Sequence, residues 1–166
     1  MIKTKYDIKI NIDDREFDIV VREPNKAEKK ELDLKSAKAR EILSVIEAKA
    51  KKENELLSEA NAIKSEIEIN RAIIANADIK DRLALLWENK KLNKRARECE
   101  REIANLGSSE ESVREFEAVL EESFEFKSKL LIEGAEFLSA VGEFGISHKK
   151  IWEILSSHVA KAQEKK

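Results

Sequence analysis

Leu92-Asn93-Lys94-Arg95-Ala96-Arg97-Glu98-Cys99-Glu100-Arg101-Glu102-Ile103-Ala104-Asn105-Leu106 is the stretch that decides the fold. Small and apolar residues recur at Leu92, Ala96, Cys99, Ile103 and Leu106, in steps of four, three, four and three, and charges fill the gaps. This is a heptad seam, the pattern by which one α-helix lies against another along a narrow apolar stripe. Going toward the N-terminus, the same helix takes in Leu85 and reaches Asp78, a residue type that caps helices, while Asp81 places negative charge in the first turn.

A second stripe precedes it. Ala39, Ile42, Leu43, Ile46, Ala50, Leu57, Ala60, Ile63, Ile67 and Ile74 follow one another mostly in steps of three and four or multiples of them. No Gly or Pro interrupts residues 26–75, although Leu32-Asp33-Leu34 is a candidate break. A helix of roughly 45 residues rises about 70 Å. One small core does not cover such a length, so a partner helix is required. Asn76-Ala77-Asp78 is the best place for a reversal, which predicts a long antiparallel coiled-coil hairpin over 25–107. A helix continuing through residue 78 and pairing with another chain satisfies the same stripes, and the two geometries stay open at this level.

Before the helices, Tyr6, Ile8, Ile10 and Ile12 alternate with Lys5, Asp7, Lys9 and Asn11. Asp13-Asp14-Arg15-Glu16 is a polar turn, and Phe17, Ile19 and Val21 resume the alternation. Period two with one apolar face predicts an antiparallel β-hairpin over 1–24. Two strands alone are marginal in water, so the apolar face must pack on something else. Pro24 ends the second strand. Asn25 with Glu28 three residues on forms a variant of the capping box.

Gly107 terminates the second long helix, and Ser108 or Ser109 opens a C-terminal helical module over 108–166. Val113, Phe116, Leu120, Phe124, Leu131, Phe137, Leu138 and Val141 read as one helix closed by Gly142 and Gly145. Ser147 caps a last helix with Ile151, Trp152, Leu155 and Val159. The fold class is therefore mostly α with a small N-terminal β-hairpin. Five of the six Phe lie in this last module, as does Trp152. Aromatic anchors dominate recognition surfaces, which makes Phe116, Leu120, Phe124, Phe126, Phe137, Phe144 and Trp152 the candidate partner-binding residues. Phe124 and Phe126 are two apart on one helix and point about 200° apart, so one is expected in the core and the other free.

Composition narrows the function. Of 166 residues, 40% are charged and 42% hydrophobic, with 4 Gly and 1 Pro, which favours few and long helices. The 32 basic and 34 acidic residues leave a net charge of -2, so no whole-chain footprint for nucleic acid exists and a nucleic-acid partner is not expected. Lone Cys99 fits a reducing compartment. The first residues lack the apolar stretch of a secretory leader, and no apolar run approaches a membrane span. A cytoplasmic protein with no membrane partner is expected. His148 and His158 each lack the Glu that zinc or di-iron spacings need, and His148 reads as a solvent-facing residue of a first helical turn. Cys99 on the seam reads as a small buried hydrophobe. No catalytic, cofactor-binding or metal-ligating residue is assigned, and no enzyme activity is expected.

Two charge runs stand out. Lys90, Lys91, Lys94, Arg95, Arg97 and Arg101 are interleaved with Glu98, Glu100 and Glu102, which reads as a solvated face with intrahelical pairs. Glu110, Glu111, Glu115, Glu117, Glu121, Glu122 and Glu125 crowd the start of the C-terminal module and exceed what the helix dipole explains.

The segment Phe17-Asp18-Ile19-Val20-Val21-Arg22-Glu23-Pro24-Asn25-Lys26-Ala27-Glu28 resembles the opening of phage tail assembly chaperones, in which a β-hairpin and an Arg-x-Pro stretch lead into a capped helix. Phe144-Gly145-Ile146-Ser147 before an amphipathic helix is similar in style. The resemblance covers about a quarter of the chain. It implies a non-catalytic morphogenesis factor that binds amphipathic helices of a tape-measure-like partner. A homo-oligomeric coiled-coil scaffold and a nucleic-acid-associated helical protein are the alternative readings, and a homo-oligomer is expected from the long stripes.

Overall fold

The computed structural model describes residues 4–164. Its elements are β1 (Lys5–Ile12), β2 (Arg15–Arg22), α1 (Lys26–Ile74), α2 (Ile79–Leu106), α3 (Glu110–Leu131), β3 (Ile132–Glu133), α4 (Ala135–Glu143) and α5 (His148–Glu164). The chain forms two compact units. One combines residues up to Leu43 with those from Ser112 onward, and the other is Ser44–Glu111. The mostly α class with an N-terminal hairpin and a long antiparallel helical hairpin is the observed one.

In the first unit the alternation of the N-terminal segment folds as expected. Tyr6 pairs with Val21, Ile8 with Ile19 and Ile10 with Phe17, around a tight turn at Asp13-Asp14. Asp13 holds a positive φ of 51°, which Asp tolerates better than most residues. The hairpin is not alone, because β3 adds a third antiparallel strand through Val21↔Ile132 and Val20↔Glu133. The continuous helix expected from Val113 to Val141 is thus broken at Ile132–Gly134. Gly134 is what allows the break to sit on the sheet. A Cβ there would lie 2.9 Å from Ile19 Cγ2, closer than carbon atoms pack. The buried face of the sheet meets Phe137, Ala140 and Val141 of α4 and Ile151, Trp152 and Leu155 of α5 in one continuous core. Phe17 packs edge-on to Phe137 with ring centroids 5.8 Å apart.

The turn from β2 into α1 is tightly hydrogen-bonded. Asn25 Oδ1 accepts from Ala27 N at 2.9 Å and Glu28 N at 3.0 Å, and Asn25 N donates back to Glu28 Oε2 at 2.9 Å. Both oxygens of Glu28 also accept from the Arg22 guanidinium at 2.7 Å, and Arg22 Nη2 donates to the Leu130 carbonyl at 2.8 Å. The Arg-x-Pro segment thus ties strand, helix cap and α3 together. No break occurs at Leu32-Asp33-Leu34, where α1 is continuous.

In the second unit α1 and α2 run antiparallel after a reversal at residues 75–78. Asp78 Oδ1 accepts from Asp81 N at 2.9 Å, as a helix cap does. Leu56, Ala60 and Cys99 form one buried cluster, and Ile63, Ile67 and Ala96 another. Nearer the reversal, two buried amides meet, with Asn70 Nδ2 donating to Asn89 Oδ1 at 2.9 Å. A lone polar pair in an apolar seam fixes register, since any slip leaves both amides unpaired. Glu59 flanks the seam by holding Arg95 through Nε at 2.6 Å and Nη2 at 2.9 Å.

Candidate functional site

Helix α2 carries two stripes. One faces α1 through Leu92, Ala96, Cys99 and Ile103. The other, offset by about a quarter turn, is Ile79, Leu83 and Leu86 followed by Lys90, Lys94, Arg97 and Arg101, all exposed. Ile79 is 77% exposed and neighbouring Trp87 64%. Exposed apolar groups cluster here more densely than scattered surface residues do, a mark of interaction surfaces. Ile67, Arg71 and Ile74 of α1 join Leu86, Trp87, Lys90, Lys94, Arg97 and Arg101 around an open concavity of about 1060 Å³.

The glutamates interleaved in this run make their ion pairs with other cations, although Glu98 also lines the concavity. Glu98 and Glu102 lie 3.7 Å and 3.3 Å from Arg95 Nη1, and Glu100 lies 3.3 Å from Lys64 Nζ. Among the described residues, Lys90, Lys91, Lys94, Arg97 and Arg101 have no carboxylate within ion-pair distance. Lys90 Nζ sits 5.4 Å from the Trp87 ring centroid. The run is therefore a cationic stripe joined end-on to an apolar one, where sequence suggested a self-paired face. On the seam side, burial raises the pKa of the Cys99 thiol, and nearby Arg95 opposes this without reversing it. A buried thiol held protonated is a poor nucleophile.

The aromatic candidates of the first unit are placed differently. Phe137 is 1% exposed and Trp152 6%. Phe137 is a core residue, because the break at Gly134 turns it under the sheet. Phe124 packs on the same core. Phe126 is half-buried beneath Lys35, whose Nζ is 5.1 Å from its ring centroid. Both Phe124 and Phe126 are thus part-covered, in place of one core and one free ring. Phe144 is exposed near Arg15, at 5.9 Å. Phe116 and Leu120 line a shallow concavity with Ile146. Leu120, Phe124 and Trp152 also come together on a groove of about 600 Å³ bounded by β2, α1, α3 and α5. Lys127 lies within it, its Nζ 4.1 Å from the Trp152 ring centroid and 5.9 Å from that of Phe124.

Beneath the groove, Ser128 is fully buried and hydrogen-bonds three ways at 2.9 Å: to the Phe124 carbonyl, to Trp152 Nε1 and to His148 Nδ1. Its one proton goes to the carbonyl, so its lone pairs receive N–H from Trp152 and from His148, whose proton then sits on Nδ1. A serine buried and saturated in this way is structural. His148, expected in solvent, is half-buried and part of this network. Glu121 caps α5 by accepting from the backbone N–H of His148 and Lys149 and from Ser147 Oγ. Partial burial works against its ionisation, but these donors outweigh it and lower its pKa. Among the described residues no three of His, Cys, Asp and Glu gather as metal ligands, and no helix is long and apolar enough to cross a membrane.

Comparison with protein-family models, with curated proteins and with solved structures finds no match.

Proposed function

We propose that the chain is a non-catalytic binding protein that captures an acidic amphipathic helix of another protein along the exposed stripe of α2. The observation that carries this reading is the end-to-end arrangement of Ile79, Leu83, Leu86 and Trp87 with Lys90, Lys94, Arg97 and Arg101. An incoming helix with an apolar segment followed by an acidic one buries the first set and pairs with the second, making a third helix on the hairpin. Helix-in-groove recognition works through such anchors at i, i+4 and i+7. Nucleic acid would use the cations and Trp87 but leave the apolar set exposed, so a protein helix is favoured. The resemblance of Phe17–Glu28 to tail assembly chaperones supplies a specific client, the amphipathic helices of a tape-measure-like protein in phage morphogenesis. A role of that kind is consistent with a stripe that shields apolar helices.

The test uses two labelled model helices, one of Leu and Glu and one of Leu and Lys, titrated against the full chain by fluorescence anisotropy. The Leu/Glu helix is expected to bind at least about tenfold more tightly, with an advantage that shrinks as salt screens the charges. Leu86→Ser is expected to cost about 1–2 kcal/mol of binding, as loss of an interface anchor does. Lys94→Glu with Arg97→Glu is expected to invert the preference. Equal binding of both helices, or tighter binding of a single-stranded oligonucleotide than of either, would sink the proposal.

A further inference from the structure

In the groove of the first unit, which Glu23 and Asp33 also line, Lys127 has no carboxylate acting on it. Lys127 is half-buried among Leu32, Leu120, Phe124, Trp152 and Val159. Its pKa is lowered from the ordinary lysine value, and burial is the sole cause, with no carboxylate acting on it. Among the described residues, the Trp152 and Phe124 rings compensate it through cation–π contacts. Ser123 stands one turn before Lys127 on α3, and Ser156 one turn after Trp152 on α5, and both hydroxyls line the same groove. A desolvated ammonium gains most from an anion delivered into the same apolar surroundings, where their attraction is least screened.

The groove spans about 600 Å³, within the range of small-molecule sites. That room, with Lys127 lacking a carboxylate partner, suits a slender apolar chain ending in an anion. Leu120, Phe124, Leu131, Trp152 and Val159 supply apolar wall, while Arg22, Glu23, Lys29 and Asp33 also line the groove.

We propose that this groove binds an aliphatic carboxylate of the fatty-acid type, its headgroup on Lys127 with Ser123 and Ser156, and its chain against Leu120, Phe124 and Trp152. The site is separate from the α2 stripe and stands or falls independently of it.

Laurate and its neutral analogue dodecanol, both kept below the concentration at which they aggregate, are the probes. The full chain carrying Trp87→Phe leaves Trp152 as its one tryptophan and reporter. Laurate is expected to change Trp152 emission and raise the melting temperature, and dodecanol to bind at least about tenfold more weakly. Lys127→Met is expected to remove the laurate preference and leave dodecanol unchanged, while Lys127→Arg retains it. Equal affinity for laurate and dodecanol, no response of Trp152 to either, or an unaltered laurate affinity in a folded Lys127→Met chain would each overturn the proposal. Displacement of laurate by the Leu/Glu model helix at lower concentration would assign the groove to a protein segment, and would overturn it as well. If Lys127→Met fails to fold, the laurate–dodecanol comparison on the Trp87→Phe chain decides alone.

Discussion

The two units bury their apolar residues in opposite ways. The sheet-bearing unit gathers fourteen buried residues into a single cluster reached from three strands and several helices. The helical hairpin has two clusters of three and leaves Ile69, Ile73, Ile79, Leu83, Leu86 and Trp87 exposed. Both regions are rich in Ile and Leu, so hydrophobicity alone does not separate them. What differs is the number of faces available: a sheet offers a broad surface that helices close over, whereas two helices cover only one seam of each other. A region built that way keeps apolar surface for a partner.

Large-to-small substitutions break or confirm the contrast most directly. Phe137→Ala is expected to cost about 3–5 kcal/mol, since it opens a cavity in a core closed on every side. At about 2–4 °C per kcal/mol for a chain of this size, its melting temperature should fall by roughly 10 °C. Leu56→Ala in the hairpin is expected to cost about 2 kcal/mol, the low end for a buried leucine, because its small cluster is able to relax. Thermal denaturation of the two variants checks this. Equal losses would mean that the hairpin is packed as firmly as the sheet.

The buried amides give a finer probe. Asn70→Leu leaves the Asn89 amide buried without its partner and is expected to destabilise by about 1–3 kcal/mol. The double replacement Asn70→Leu with Asn89→Leu is expected to recover that loss or exceed wild type, while relaxing the register the pair imposes. A double-mutant cycle measures the coupling. Additive losses would show that the amides act separately and that register is held elsewhere.

Much of this architecture is legible in sequence, for reasons tied to particular residues. Asn25 and Asp78 mark helix starts because their side chains cap the next turn locally, and Gly107 marks an end because its backbone takes a positive φ. The cap of α5 instead comes from distant Glu121, which the sequence around Ser147 does not show. The alternation of Tyr6, Ile8, Ile10 and Ile12 exposes the strands because period two is unambiguous. The third strand is not legible: it has two residues, and Leu130-Leu131-Ile132 continues the helical phase across the break. Gly134 was the available signal, a glycine inside an otherwise helical run. The aromatic concentration in 109–160 is real, but composition does not tell core from surface, and Phe137 and Trp152 are buried. The exposed stripe is missed when each helix is traced for a single apolar face. Ile79, Leu83 and Leu86 recur at four and three, one residue out of phase with the seam, and only the position of α1 shows which stripe is left open.

Acid titration should produce the smallest difference between the units. In the first, the Arg22 guanidinium and then the Asn25 N–H hold the Glu28 pKa at about 2, down from its ordinary 4.5. A carboxylate whose folded pKa is depressed contributes stability that is complete above its unfolded value and disappears as pH falls through the folded one. Glu28 therefore supports the fold fully above about pH 4.5, and its contribution is lost progressively down to about pH 2. In the hairpin, Arg95 likewise lowers the Glu59 pKa, mainly by hydrogen bonding. Its stabilisation is also lost as pH falls through its own depressed value. The surroundings differ: Glu28 also completes a helix cap and shares Arg22 with the Leu130 carbonyl, while Glu59 lies on an open flank with 42% of its side chain exposed. Glu28→Gln is expected to flatten the dependence of melting temperature on pH between about 4.5 and 2. Glu59→Gln is expected to flatten it less, because solvent screens an exposed pair. Scanning calorimetry of both variants over this range reads the two slopes. A flatter slope in the Glu59→Gln variant than in the Glu28→Gln variant would place the acid-sensitive joint in the hairpin and reverse the ranking of the units.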